Sequence, residues 1–198
     1  IIVNGGTLCT SNFVFRNGNN YAIGTAGHCG RVGHPVTMLA GGRILFNIGN
    51  ITKVVDQGPG NDFALISINP AFNSKVSPSM AHWGGPIGAW TGGPLPLTVK
   101  HSGWGLGIGA GGTPRLGIPL SWSPAGLWTF AGLIVNGDSG SAANSGSNLA
   151  FGNITHILIT VPPRNAGTSI TRILQIAGLP LATCSKPMPW PLFGCPTL

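Results

Sequence analysis

At 198 residues the chain can bury a sizeable core and reads as one domain, or as two small halves of one. A 42% hydrophobic content excludes disorder, and 33 glycines and 17 prolines beside only 7% charged residues exclude a solvated helical protein in favour of an all-β one with many tight turns. The net charge of +7 comes from ten Lys and Arg scattered from Arg16 to Lys186 with no two adjacent, so nothing tracks a phosphate backbone; no apolar run is long enough to span a bilayer, and neither nucleic acid nor membrane is expected as a partner.

In chain order, residues 8–15 form a β-branched and aromatic run that predicts a strand, and the turn cluster Arg16-Asn17-Gly18-Asn19-Asn20 joins it to a second strand at 21–24. This hairpin leads into Thr25-Ala26-Gly27-His28-Cys29. Further strands are predicted at 36–39, 44–48 and 51–55, separated by Gly41-Gly42 and Gly49-Asn50. The turn Gln57-Gly58-Pro59-Gly60-Asn61 then presents Asp62 just ahead of an apolar strand at 63–68. Short strands at such close, turn-marked spacing suggest a barrel.

Residues 69–94, rich in Pro, Ser and Gly, interrupt the pattern and predict a crossing between two barrels. Strand character resumes at 95–101, is followed by Ser102-Gly103-Trp104-Gly105, and returns at 116–122, 127–135 and 148–161. The glycines between 103 and 112 do not make a dinucleotide loop, because no helix start follows them and Pro114 opens a β-like run; no cofactor is expected. One helix is predicted, at 169–177, with apolar residues at 170, 173, 174 and 177, a stop at Gly178 and Pro180 beyond. A Pro-rich tail, 184–198, follows.

Candidate chemistry centres on Gly137-Asp138-Ser139-Gly140-Ser141. A serine hydroxyl attacks well only if a base takes its proton and backbone N–H groups face the oxygen that becomes negative, a setting that flanking glycines favour. The base is sought at His28 and the carboxylate among only three acids, Asp56, Asp62 and Asp138, since the chain contains no glutamate. Asp56 also ends a strand before a turn and stands as the alternative to Asp62. The chain order His28, Asp62, Ser139 is that of chymotrypsin, distinct from those of subtilisins and α/β-hydrolases. The segments Thr-Ala-Gly-His-Cys, Asn-Asp-Phe-Ala-Leu and Gly-Asp-Ser-Gly-Ser resemble the signatures of chymotrypsin-fold serine peptidases, and Ser102-Gly103-Trp104-Gly105 resembles the segment that begins their second barrel. With only eight residues before Cys9, the beginning is similar to the bacterial α-lytic protease and streptogrisin branch; more distantly, the chain resembles secreted effector peptidases of actinobacteria.

The resemblance implies two packed six-stranded antiparallel β-barrels with a C-terminal α-helix, divided as 1–82, 83–168 and 169–198. It implies a secreted, monomeric serine endopeptidase acting on protein or peptide substrates through an acyl-enzyme, with the N–H groups of Gly137 and Ser139 as oxyanion hole. It pairs Cys9 with Cys29, which leaves Cys184 for Cys195; a cysteine zinc site, the competing reading, lacks C-x-x-C spacing, and no metal is expected. Substrate contacts are expected from Leu133, Ile134 and Asn136 before the nucleophile and from Thr155, His156 and Ile157. Leu133 and Ile134 at the specificity pocket favour a small to medium apolar side chain, with an acidic preference through His156 as the rival. Asp138 is expected to pair with an arginine or accept backbone N–H groups rather than bind the amine of Ile1, because the lead-in to Cys9 is short. A protein of this fold that binds without cutting is the other function class.

Overall fold

The computed structural model describes residues 1–40, 43–106 and 112–184. Ile2–Val3 (β1), Thr7–Leu8 (β2), Val14–Asn17 (β3), Asn20–Thr25 (β4), Pro35–Ala40 (β5), Arg43–Asp56 (β6) and Asp62–Ile68 (β7) form a seven-stranded sheet in the order β2-β1-β5-β6-β7-β4-β3. Gly88–Ala89 (β8), Val99–Gly103 (β9), Thr113–Trp122 (β10), Leu127–Gly132 (β11), Ala142–Ser145 (β12), Leu149–Asn153 (β13), His156–Leu158 (β14) and Arg164–Thr168 (β15) form an eight-stranded sheet in the order β14-β15-β11-β10-β9-β12-β13-β8. Pairing is antiparallel except between β8 and β13. The counts, seven and eight, exceed the expected six per sheet, with the two-residue strands β2 and β1 at one end of the first sheet and β8 at one end of the second.

Three apolar clusters hold the molecule together. One lies inside each sheet: Val3, Val36, Ile51, Ala64 and Ile66 in the first, and Val99, Trp128, Phe130, Ala143, Phe151 and Ile154 in the second. The third joins the sheets, with Phe13, Phe15, Phe63 and Leu65 meeting Ala142, Ala150 and the helix residues Ile170 and Ile173. That helix, Ile170–Ala177 (α1), starts where the Ser169 hydroxyl accepts from the Arg172 amide and ends at Gly178 in the left-handed region, φ 68°. The segment predicted as a crossing contains a 3-10 turn, Pro70–Lys75, capped by Asn69.

Several predicted strands are cut differently. Residues 9–13 leave the 8–15 run because their backbone bonds to other segments: the Thr10 amide donates to Ser139 O and the Asn12 amide to Gly24 O, 2.8 and 2.7 Å. The two strands expected at 44–48 and 51–55 are one, β6; Gly49, at φ 150°, sits at an irregularity against β5 and lies so close to β7 that a Cβ would strike Ser67 O. The run 148–161 breaks at Ile154 and Thr155, whose amides donate to Ser141 O and Ala166 O. The strand 127–135 stops at Gly132, and 95–101 begins only at Val99. The Gly41-Gly42 turn and the glycines at 107–111 lie outside the described residues.

Candidate active site

His28 sits in a 3-10 turn, Gly27–Cys29, at the end of β4. A disulfide from Cys29 to Cys9, S–S 2.01 Å, clamps that turn as expected. Cys184 is buried and disulfide-bonded; Cys195, its expected partner, lies outside the described residues. Gly27 has no room for a side chain, because a Cβ would collide with Val55 O, and this close approach lets its amide reach the Asp62 carboxylate.

Asp62 opens β7 with a fully buried side chain. Its Oδ2 accepts from His28 Nδ1 at 2.6 Å, and its Oδ1 accepts from the amides of Gly27 and of His28, the latter at 3.2 Å. Its carbonyl accepts from Asn153 Nδ2 and from Thr168 Oγ1 of the second sheet, each at 3.0 Å. A buried carboxylate left unpaired is costly, and here every oxygen is engaged. The Asp62 hydrogen bond raises the His28 pKa above the usual imidazole value; burial opposes this, and the charges of Asp62 and Asp56 add to it. Asp56 lies opposite Asp62 on β6 but is exposed, so Asp62 meets the imidazole.

The second sheet supplies the serine. Asp138 N donates to Val135 O and Ser141 N to Asp138 O, closing tight turns on either side of Ser139. Gly140, at φ 94°, packs so closely on Thr10 O and Ala26 that a Cβ would clash, which sets the serine loop against the segment leading to His28. Thr10 ties the same loop to the first sheet: its hydroxyl donates to Gly137 O at 2.7 Å and its amide to Ser139 O at 2.8 Å. Among the described residues the amides of Gly137 and Ser139 donate to no protein acceptor, and no hydrogen bond joins Ser139 Oγ to His28. Catalytic hydrogen bonds are often loose without substrate and tighten in the complex.

Asp138 is held by both kinds of partner expected for it. Arg115 grips its carboxylate with two nitrogens, Nη1 to Oδ2 at 2.5 Å and Nη2 to Oδ1 at 2.6 Å, and the amides of Val135 and Gly105 donate at 2.8 and 2.9 Å. Both side chains are nearly out of solvent, at 8% and 1% exposure. The Ile1 nitrogen instead donates to Cys9 O at 2.8 Å.

The expected substrate-contact residues divide. Leu133, Asn136 and Ile157 are exposed, Ile134 packs partly onto the second-sheet core, and Thr155 is buried with its hydroxyl 3.3 Å from Ala166 O. His156 turns toward the carboxylate: its Nδ1 lies 3.6 Å from Asp62 Oδ2 and 2.8 Å from Thr155 Oγ1, and its ring stands edge-on to His28 with centroids 5.5 Å apart. Sequence reasoning missed this approach, and it missed Arg115 and Thr10. The only sequence signal for Arg115 is a lone arginine within a strand run, required to lie inside once Asp138 is buried.

Two β-sheets joined by a hairpin-borne His28, a strand-end Asp62 and a tight serine loop define the fold of the chymotrypsin-like serine proteases of bacteria. No protein-family model and no curated protein matches the sequence. Among solved structures, the chain is similar to a glutamic-acid-specific serine protease described as using a histidine triad in substrate binding, at 18% identity and TM-score 0.63 over 91% of this chain and 96% of that one. It is similar to Cellulomonas bogoriensis chymotrypsin at 20% identity and TM-score 0.59 over 91% and 93%, and to Thermobifida fusca protease A at 21% and 0.57 over 88% and 91%.

Proposed function

We propose that the protein is a secreted serine endopeptidase in which Ser139 attacks the scissile carbonyl, His28 takes and returns the proton, and Asp62 holds the imidazole in the right tautomer. The observation that carries this reading is the 2.6 Å bond from His28 Nδ1 to a carboxylate that is fully buried and fixed by backbone amides. It leaves Nε2 as the nitrogen that can accept a proton, and it stabilises the imidazolium formed on attack. Attack forms a bond from Ser139 Oγ to the carbonyl carbon, expels the amine with the proton held by His28, and leaves an acyl-enzyme that water then hydrolyses. The uncommitted amides of Gly137 and Ser139 suit the oxyanion, a contribution of about 3–4 kcal/mol per donor in such sites. The bidentate Arg115–Asp138 pair keeps the loop that presents them in one shape.

A peptide substrate would lie along β14, an end strand of its sheet with one edge unpaired in the sheet order. Leu133 and Ile134 carry no charge and favour a small to medium apolar side chain at the scissile residue. The rival preference, for glutamate, gains weight from the glutamate-specific neighbour; against it, His156 lies near Asp62, where a substrate carboxylate would meet a like charge. No helix among the described residues is long and apolar enough to cross a membrane.

Labelling of Ser139 by an organophosphonate, together with turnover of matched peptides ending in Ala, Leu, Phe, Glu and Arg, tests the proposal. Labelling lost in Ser139→Ala and turnover favouring Ala or Leu is the expected result. An unlabelled protein would favour the non-cutting binder, and a Glu preference that disappears in His156→Ala would reverse the specificity assignment.

A further inference from the structure

Asp62, His28 and His156 gather two imidazoles on one carboxylate, and one donor atom from each residue lies within 4.8 Å of the others; among the described residues no other His, Cys, Asp or Glu group is clustered this way. A zinc ion with bonds of about 2.0–2.1 Å places tetrahedral ligand atoms about 3.3 Å apart. Asp62 Oδ2 stands 2.6 Å from His28 Nδ1 and 3.6 Å from His156 Nδ1, on either side of that separation. Imidazole and carboxylate donors suit Zn2+. The two histidines are 33% and 31% exposed and open to solvent, while Asp62 closes the site from beneath. Asp56, across from Asp62 on β6, adds a second negative charge nearby.

We propose that His28, Asp62 and His156 form a reversible Zn2+ site, with water as fourth ligand, and that the ion blocks the protein's activity when bound. Zn2+ takes the place of the proton between His28 Nδ1 and Asp62 and of the contact between His156 Nδ1 and Thr155 Oγ1, and the displaced proton passes through solvent to His28 Nε2, so that the ring ligates as a neutral imidazole. With Nδ1 on the metal and the proton already on Nε2, the His28 ring has no lone pair left to accept the Ser139 proton, so proton transfer stops. The binding step stands on the geometry alone; the inhibitory step rests on the triad reading.

Two readouts separate these steps. The first is calorimetric titration of the Ser139→Ala protein with Zn2+, supported by the visible spectrum of bound Co2+. One ion per chain is expected, at least tenfold weaker in His156→Ala and in His156→Gln, both judged only if their melting temperature and near-ultraviolet circular dichroism match the parent. His34→Ala should bind as the parent does. No binding, or affinity unchanged by both His156 substitutions, would overturn the site. The second readout is peptide hydrolysis with and without Zn2+, each variant compared with its own metal-free rate. Loss of activity in the parent, restored by chelator and at least tenfold less sensitive in His156→Gln, is expected; ion bound at His156 without loss of activity would overturn the inhibition. If no metal-free sample hydrolyses peptide, the peptidase reading fails and the titration alone decides the metal site.

Discussion

Strand β7 in the first sheet and strand β10 in the second each carry one charge of the site, Asp62 and Arg115, yet they dispose of their apolar residues in opposite ways. In β7 both faces are buried: Phe63 and Leu65 enter the core between the sheets, while Ala64 and Ile66 enter the core of the first sheet. A continuous apolar run is what that double burial demands. In β10 the alternation is inverted, with Leu116, Ile118 and Leu120 exposed at 55%, 60% and 41% and Arg115, Gly117 and Pro119 turned inward. The inner face has no space to offer them: a Cβ on Gly117 would stand 2.6 Å from the Phe130 ring. What remains of that face goes to Arg115, because only an inward arginine reaches Asp138. The parity of β10 is thus fixed by a buried ion pair and not by hydrophobicity.

The largest break in this comparison is expected on the β7 side. Asp62→Asn keeps the shape of the carboxylate but loses its charge and its hold on the His28 tautomer, so kcat should fall by about 10⁴-fold. The pH profile should move as well. In the parent the bond to Asp62 raises the His28 pKa, so activity should appear on its deprotonation with a midpoint above the ordinary value of about 6.5. The linked stability runs in the opposite sense: a raised folded-state pKa favours the fold fully below about 6.5, and that contribution is lost as pH rises through the folded value. Residual activity of Asp62→Asn should therefore have its acid limb at lower pH than the parent. A limb that does not move would remove Asp62 as the cause.

On the β10 side the test is two adjacent substitutions. Arg115→Ala leaves the Asp138 carboxylate buried without its cation, and losing one partner of such a pair costs about 3–5 kcal/mol. Leu116→Ala removes a side chain that already faces water, and should stay within about 0.5 kcal/mol. Urea unfolding of the two variants decides it. Equal losses would mean that the strand buries its leucines in solution and that its parity follows the usual rule.

This contrast also explains what was legible beforehand. His28, Asp62 and the Ser139 loop could be found because each lies in a short segment whose own residues set its conformation: a glycine that lets a turn close on a carboxylate, an aspartate at a strand start, a turn on both sides of a serine. The helix at α1 was legible for the same reason, with Ser169 and Gly178 marking its ends. Arg115, Thr10 and the orientation of His156 were not, because their roles exist only across the fold, 23 positions away for Arg115 and Asp138 and 127 for Thr10 and Gly137. The single strand β6 escaped for a local reason: Gly49-Asn50 reads as a turn, and only the pairing with β5 makes Gly49 an irregularity within a ladder.

The smallest effect at neutral pH is expected at His101, on β9 beside Arg115 in the sheet register. Its ring is fully buried, stands edge-on to Phe130 at 5.9 Å, and has no hydrogen-bond partner on either nitrogen among the described residues. Burial first, and the Arg115 charge second, push its pKa down to about 4. Protonation is thus resisted in the fold and not in the unfolded chain, so this histidine contributes stability that is present above about 6.5 and lost as pH falls toward about 4. His101→Leu replaces a ring with unpaired polar atoms by an apolar side chain, a change that is near neutral when no partner is left behind. At pH 7.5 the variant should melt close to the parent. As the pH is lowered from 6.5 to 4, the parent should lose stability that His101→Leu keeps, and the gap between their melting temperatures should widen steadily. A gap that stays constant across that range would mean that His101 already carries its proton in the fold, and that the inner face of β9 and β10 holds a second cation beside Arg115.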